Sequence, residues 1–219
     1  MNRKSIVVIP AFNEETTVRS VVEKCSEYFD VLVVNDGSAD GTSIAASLGG
    51  AIVLTNDENK GYEYSLNVAY KYAVQNKYNV MITMDADGQL PTEMLPYFLK
   101  AIDEGASVVI GNRMIKPRFS EKMLAFLAKR FSSFNDPYCG MKAYCLDSLN
   151  RNEFSQYNSI GTSLALDYIE ARLPCENIDI KIKSRIGESK FGGKLSSELK
   201  LFRSLAIGSL RLLKTWAKR

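Results

Sequence analysis

Apolar and polar positions follow two alternating patterns along the first half of the chain. Short apolar runs bounded by polar residues predict buried strands. Between them, apolar residues recur every three or four positions, which predicts helices with one buried face. Strands are predicted at 5–9, 31–34, 51–54, 80–84 and 107–110. Four helices are predicted: the first begins at about Glu14, the second ends near Leu48, the third covers 61–74 and the fourth begins at about Pro91. This order predicts an α/β fold with a mostly parallel sheet flanked by helices.

The pattern weakens after Arg113. Residues 114–135 carry a weak helical stripe and are interpreted as a connector. Isoleucines alternate over 177–182, which predicts a half-exposed strand. A basic amphipathic helix is expected to close the chain from about Leu195. Within the first half, Ser38 or Asp40 is expected to cap the second helix.

Composition is that of an ordinary globular protein. The chain has 219 residues, of which 46% are apolar and 24% are charged. No apolar run approaches the length of about 20 residues that a membrane-spanning helix needs. The first residues lead into a strand without the apolar core of a signal peptide. We therefore expect a cytoplasmic protein.

Histidine is absent, and the four cysteines show no paired metal-ligand spacing. The absence of histidine excludes Ser-His-Asp and Cys-His nucleophilic catalysis, and it excludes zinc sites with histidine ligands. The cysteines are expected to be reduced thiols. Acid–base and metal chemistry must then rest on carboxylates, lysines or amides.

Charge is distributed unevenly. Residues 181–219 contain 11 basic and 2 acidic residues, a net charge of +9, so the remaining 17 basic and 23 acidic residues give −6. A basic terminus of this kind favours an anionic partner such as phosphate groups, a membrane surface or nucleic acid. The alternative is a solvated helix face.

Polar clusters follow three of the predicted strands. They are Pro-Ala-Phe-Asn-Glu at 10–14, Asn-Asp-Gly-Ser at 35–38 and Asp-Ala-Asp-Gly-Gln at 85–89. In open α/β sheets, ligands bind beyond the carboxyl ends of the strands. We therefore expect the three clusters to converge on one crevice.

The cluster at 85–89 combines two carboxylates and an amide directly after a buried strand. Hard oxygen ligands of this kind suit Mg²⁺ or Mn²⁺ held jointly with a substrate's phosphates. The alternative is an acidic turn, in which Asp and Gly serve the backbone geometry. The pentapeptide alone leaves both interpretations open.

Three segments together resemble the inverting family 2 glycosyltransferases. They are Ile-Pro-Ala-Phe-Asn-Glu-Glu at 9–15, Val-Asn-Asp-Gly-Ser at 34–38 with Asp-Gly-Thr at 40–42, and the cluster at 85–89. That resemblance implies a GT-A fold and a nucleotide-sugar donor. It also implies one domain over 1–193, divided into a nucleotide-binding half, 1–113, and an acceptor half, 114–193. The basic helix, 194–219, would then be an appendage.

The second half resembles the dolichol- or polyprenyl-phosphate sugar synthase branch of that family. The segments that carry this resemblance are Gly-Asn-Arg at 111–113, Asp-Pro-Tyr-Cys-Gly-Met-Lys at 136–142 and Arg-Ile-Gly-Glu-Ser-Lys at 185–190. Lys142 stands where that branch usually has arginine. The resemblance implies transfer of a sugar to a polyprenyl or dolichyl phosphate.

The resemblance also implies roles for individual residues. Asp87 and Gln89 would hold Mg²⁺ or Mn²⁺, and Asp85 would contact the nucleoside side of the donor. The implied nucleotide-sugar-binding residues are Pro10, Ala11, Asn13, Glu14, Asp36, Asp85, Ala86 and Asp87. The implied acceptor-phosphate residues are Arg113, Lys142, Arg185, Ser189 and Lys190, and the implied catalytic residues are Asp87, Asp136, Arg113, Arg185 and Lys190.

Two kinds of acceptor remain open at this point. A lipid phosphate is already anionic and needs little activation, so positioning and charge compensation would suffice. A sugar hydroxyl in a surface glycan or lipopolysaccharide would need a base, for which Asp136 is the candidate. Its alternative role is a turn or cap before Pro137.

The motifs disfavour two further classes of function. A sugar-phosphate nucleotidyltransferase would open with a glycine-rich loop, and none follows Ile9. A non-catalytic nucleotide-sugar-binding module is disfavoured by the complete set Asp85, Asp87 and Gln89.

The expected partners are a nucleotide sugar, a lipid phosphate and the cytoplasmic face of a membrane, with no nucleic acid. The basic helix would lie on that surface. Its alternatives are packing on the α/β domain, pairing in a homodimer or contact with a membrane partner subunit. The sequence leaves open which sugar is transferred and whether the donor nucleotide is GDP or UDP.

Overall fold

Seven strands and five α-helices follow one another in the part of the chain that the computed structural model describes, residues 3–114, 135–149, 161–183 and 210. The strands are β1 Ser5–Ala11, β2 Asp30–Asn35, β3 Ile52–Thr55, β4 Val80–Thr83, β5 Val108–Arg113, β6 Lys142–Cys145 and β7 Cys175–Ile180. The helices are α1 Val18–Ser26, α2 Thr42–Leu48, α3 Tyr62–Gln75, α4 Leu95–Asp103 and α5 Ser163–Glu170.

All seven strands join one sheet in the order β3-β2-β1-β4-β6-β5-β7. Every pairing is parallel except those of β6, which runs antiparallel to both β4 and β5. The mostly parallel α/β sheet predicted from the sequence is thus confirmed. β6 comes from the predicted acceptor half yet lies between two strands of the nucleotide-binding half, so both halves share one sheet.

Helices cover the sheet on both faces. Alternate residues of β1 explain this, because Val7 and Ile9 pack against α1, α2 and α4, whereas Ile6 and Val8 pack against α3 and α5. A strand buried on both faces needs a continuous apolar run, as its sequence provides. In the described ranges, no helix is long and apolar enough to cross a membrane. All four cysteines are free thiols, as expected.

The element boundaries differ from the predicted ones in a few places. α1 begins at Val18 rather than near Glu14, because the Glu14 carbonyl accepts the N–H groups of Thr17 and Val18 in a turn. Gly41 occupies the N-cap of α2, so neither predicted cap is in that position. Asp40 instead accepts the Thr42 N–H at 3.0 Å.

β6 and α5 were absent from the sequence-based prediction. The strand predicted at 177–182 is present as β7, which begins and ends two residues earlier. Several predictions fall outside the described residues. They concern Arg185, Ser189, Lys190, most of the connector 114–135, and the predicted C-terminal helix apart from Leu210.

β1 and β4 separate at the carboxyl edge of the sheet. Their last pair is Val8 with Thr83, but β1 continues to Ala11 beside β2. Pro10, which has no N–H, lies in this extension. The chain leaves β1 toward β2 and leaves β4 toward β5, in opposite directions along the sheet, so the crevice forms at the topological switch point.

The turn after β2 generates the first prediction. Gly37 has φ +69°, and a Cβ there would lie 2.5 Å from the backbone carbon of Glu58. Gly50 has φ +96° with open space around it. Gly50→Ala should cost about 1–2 kcal/mol of unfolding free energy from the positive φ alone. Gly37→Ala should cost about 1–3 kcal/mol more from the steric overlap.

Chemical denaturation of the two variants measures this difference. Equal losses would show that the loop around Glu58 moves aside without cost.

Candidate active site

The loop after β1 is locked to the loop after β2. Asn13, at φ 54°, donates its N–H to the Ser38 hydroxyl at 2.9 Å and accepts the Ala39 N–H at 2.9 Å. The Glu14 N–H donates to the Thr42 hydroxyl at 2.7 Å. Two of the predicted polar clusters therefore form one interlocked surface beside the crevice.

Asp36 is buried and organises a third loop. Its carboxylate accepts the Asn56 side-chain amide at 2.8 Å and the N–H groups of Lys60 and Gly61 at 3.0 and 2.8 Å. Asp36 thus holds the loop that follows β3 against the end of β2. Its predicted contact with base and ribose stays a prediction, and the geometry adds a role in shaping that side of the crevice.

Asp85 lies directly beyond β4, half-buried in the crevice. The Tyr62 hydroxyl donates to its Oδ1 at 3.2 Å. Gly140 packs so closely on the other side that a Cβ there would overlap the carboxylate. Ala86, the next residue, is buried, as are Pro10 and Ala11 at the end of β1.

Electrostatics make the Asp85 carboxylate costly to ionise. Burial, and then repulsion from Asp87, raise the pKa of Asp85 to about 6. Lys142, Arg113 and the hydrogen bond from Tyr62 act in the opposite direction. A carboxylate with a raised pKa in a crevice is a candidate for a functional role.

Asp87 and Gln89 form the outer part of the same loop. The Asp87 carboxylate accepts the Gln89 N–H at 3.0 Å. Gln89 and Lys183 exchange two further hydrogen bonds, of 2.8 Å between backbones and 3.3 Å from the Gln89 amide to the Lys183 carbonyl. The chain that leads to Arg185 therefore starts beside this carboxylate loop.

Arg113 and Asp136 form a two-pronged ion pair. The Arg113 Nε and Nη2 atoms donate to the two Asp136 oxygens at 2.7 and 3.0 Å, and the Arg113 N–H adds a bond of 3.2 Å. The Asp136 side chain is 1% exposed and that of Arg113 is 14% exposed. Both Asp136 oxygens thus serve to orient the guanidinium.

Lys142 begins β6 and is buried, with 3% exposure. Its ammonium donates to the carbonyls of Cys139 and Gly161, the latter at 3.0 Å. Burial lowers the pKa of Lys142, while Cys139 and then Asp85 act to raise it. A direct contact with an acceptor phosphate, as predicted from the sequence, would require these hydrogen bonds to break.

Sequence reasoning missed Tyr62, Glu63 and the segment before α5. The Glu63 carboxylate accepts the N–H groups of Thr162 and Ser163 at 3.0 and 3.3 Å, so it satisfies donors at the start of α5. These partners lie about a hundred residues apart, and no local pattern links them. An acidic side chain in the first turn of α3 was the only signal, and it resembles an ordinary helix terminus.

A crevice at the switch point of a mostly parallel sheet, lined by carboxylates beyond β4, defines a GT-A-type glycosyltransferase. Residues 6–139 match the family model described as glycosyl transferase family 2. The chain belongs to this family, and it is a glycosyltransferase.

Curated relatives agree with this assignment. An undecaprenyl-phosphate mannosyltransferase of Micrococcus luteus is 27% identical over 88% of this chain and 89% of its own. A dolichyl-phosphate hexose transferase of Haloferax volcanii is 29% identical over 84% and 85%. An uncharacterized protein of Methanocaldococcus jannaschii is 35% identical over 58% of this chain. The matched segment spans 53% of that protein's length.

A solved structure has the same fold. Glucosyl-3-phosphoglycerate synthase from Mycobacterium tuberculosis, crystallised with Mn²⁺, UDP-glucose and phosphoglyceric acid, superimposes with a TM-score of 0.74. The match covers 94% of this chain and 80% of that one at 20% identity. At this identity the likeness establishes the GT-A fold.

The raised pKa of Asp85 generates the second prediction. The folded-state pKa, about 6, exceeds the unfolded value of about 3.9, so the stabilising effect of the protonated group is lost as pH rises through 6. Asp85→Asn should therefore stabilise the ligand-free protein by about 1–3 kcal/mol above pH 7. The gain should shrink toward pH 4.

Denaturation curves at several pH values measure this gain, with Asp57→Asn on an exposed loop as the control. A stability gain that does not vary between pH 4 and pH 8 would contradict the electrostatic explanation.

Proposed function

We propose that this glycosyltransferase moves a sugar, with inversion, from a nucleotide sugar to a polyprenyl phosphate. The observation that carries the proposal is the carboxylate loop 85–89 beside the oriented guanidinium of Arg113. Two relatives that cover more than four fifths of this chain are named for undecaprenyl- and dolichyl-phosphate transfer. That correspondence supports the lipid-phosphate acceptor.

A divalent cation, Mg²⁺ or Mn²⁺, fits the donor side of the site. Asp85 and Asp87 repel one another within one loop, and Gln89 adds an amide to the same loop. Cations of this type bind one or two carboxylates together with substrate phosphates. Asp87 and Gln89 would hold the ion, which would neutralise charge developing on the leaving diphosphate.

The acceptor side favours a lipid phosphate over a sugar hydroxyl. A hydroxyl acceptor needs a base, yet both oxygens of Asp136 accept hydrogen bonds from Arg113. A phosphate acceptor is already anionic, so it requires a positioned cation instead. In this proposal, Asp136 orients Arg113, and Arg113 with Arg185, Ser189 and Lys190 binds the acceptor phosphate.

Attachment to the cytoplasmic face of a membrane would bring the enzyme to its lipid. Residues 181–219 carry a net charge of +9. Each basic residue near an anionic surface contributes about 1 kcal/mol, so a few suffice for reversible binding. A pairing of this segment in a homodimer is the competing arrangement.

Liposome flotation separates the two arrangements. Surface attachment predicts that the protein floats with anionic vesicles at low salt, and that high salt or deletion of residues 199–219 releases it. Sedimentation of the intact protein away from such vesicles at low salt would contradict attachment.

The third prediction concerns Asp87. Asp87→Ala should reduce turnover by about 10²–10³-fold, because one electrostatic contact to the transition state is lost. The melting temperature should change little, since the residue lies in a partly exposed loop. Glu104→Ala, at an exposed helix end, is the matched control. Full activity of Asp87→Ala in the presence of EDTA would contradict the metal role.

The direct test of the proposed function is a transfer assay. The full chain is incubated with GDP- and UDP-sugars, polyprenyl phosphate and Mg²⁺ or Mn²⁺, and the released nucleotide and lipid product are identified. A glycosylated polyprenyl phosphate of inverted anomeric configuration is expected. Transfer only to sugar hydroxyls would replace the acceptor assignment.

A further inference from the structure

The ammonium of Lys142 joins two segments that are distant in the sequence. One is the loop before β6, through the carbonyl of Cys139, and the other precedes α5, through the carbonyl of Gly161. The first segment contains Gly140, which contacts Asp85, and the second contains Gly161, which contacts Tyr62. Lys142 itself is 3% exposed, so its ammonium interacts with groups inside the protein.

On one side of Asp85, the tie through Cys139 fixes Gly140. The Thr83 hydroxyl donates to the Gly140 carbonyl at 2.6 Å and accepts the Lys142 N–H at 3.2 Å. Gly140 packs against the Asp85 carboxylate without room for a Cβ. A small shift of this loop would therefore move the carboxylate.

On the other side of Asp85, the tie through Gly161 fixes Tyr62. A Cβ at Gly161 would lie 2.8 Å from Cε1 of the Tyr62 ring, so the two groups are in close contact. The Tyr62 hydroxyl donates to Asp85. The Lys142 ammonium thus connects the glycine that touches the carboxylate to the glycine that supports its hydrogen-bond donor.

A buried cation of this kind needs both hydrogen bonds and nearby opposite charge. The carboxylates of Asp85, Asp136 and Glu63 supply that charge. Removal of the ammonium would leave two carbonyls without this donor, and it would remove a positive charge that offsets the repulsion of Asp85 by Asp87. Both effects would disturb the donor side of the crevice.

We propose that Lys142 is a positioning residue of the donor site, whose buried ammonium holds the Asp85 carboxylate in place through Gly140 and through Gly161 with Tyr62. The inference rests on the proposed function, because it assigns Lys142 to the donor side of that same site. It also replaces the acceptor-phosphate role predicted for Lys142 from the sequence.

The fourth prediction separates the two roles by comparing donor and acceptor parameters. Lys142→Met removes the charge and keeps the length of the side chain. Its Kd for UDP or GDP with Mn²⁺, measured by calorimetry, should rise about tenfold or more, which corresponds to the loss of one charge-assisted hydrogen bond. The KM for polyprenyl phosphate should stay within about twofold of the wild-type value.

Two variants serve as controls. Lys100→Met, at an exposed position on α4, should leave both parameters unchanged. Lys142→Arg keeps the charge and the donors, so it should restore most of the nucleotide affinity. If Lys142→Met does not fold, as judged by circular dichroism, Gly140→Ala displaces Asp85 directly and should give the same donor-side loss.

Three results would overturn the inference. One is a raised KM for polyprenyl phosphate with unchanged nucleotide affinity, which would make Lys142 a phosphate ligand. Another is unchanged nucleotide affinity in Lys142→Met or, where that variant does not fold, in Gly140→Ala. The third is wild-type protein that binds neither UDP nor GDP, which would overturn the proposed function as well.

Discussion

The fold of this protein places a carboxylate, Asp85, where burial and a neighbouring negative charge both oppose its ionisation. Several residues around the crevice hold the Asp85 carboxylate in this position. The Tyr62 hydroxyl donates a hydrogen bond to Asp85, and Gly140 packs against it. The positive charges of Lys142 and Arg113 favour the ionised form of Asp85 and so lower its pKa. Such an arrangement reduces stability in the ligand-free protein, and under the proposed function a bound cation would offset this loss.

The antiparallel strand β6 makes this arrangement possible. Because β6 runs against β4 and β5, its first residue lies at the edge where those two strands end. Asp136 to Lys142 therefore reach the same edge as Asp85 and Arg113. A sheet made only of crossover units would place the start of this strand at the opposite edge. One reversed strand thus brings the two halves of the sequence to a shared site.

Much of the architecture could be predicted from the sequence, for reasons visible in particular elements. β1, β2 and β4 are buried on both faces, so their apolar runs are continuous, and the motifs after them lie at strand ends. Asp36 and Asp85 belong to these motifs, and their contacts with the donor stay predictions. The family resemblance added the acceptor class, which the named relatives support.

The remainder could not be predicted because it depends on contacts between distant segments. β6 has only four residues and begins with a lysine, so its pattern does not indicate a central strand. Lys142 was predicted, from the family resemblance, to bind the acceptor phosphate, and because charged side chains are rarely buried, no pattern indicated its burial. Its partners, Cys139 and Gly161, bind through backbone carbonyls, which no residue pattern reveals.

The central claim is that the crevice around Asp85 and Asp87 binds the diphosphate of the donor with a divalent cation. A crystal structure of the protein with UDP or GDP and Mn²⁺ tests it most directly. The account predicts an anomalous manganese peak bonded to the Asp87 carboxylate, with the diphosphate lying over residues 85–89. A nucleotide bound elsewhere, or manganese without contact to Asp87, would contradict it.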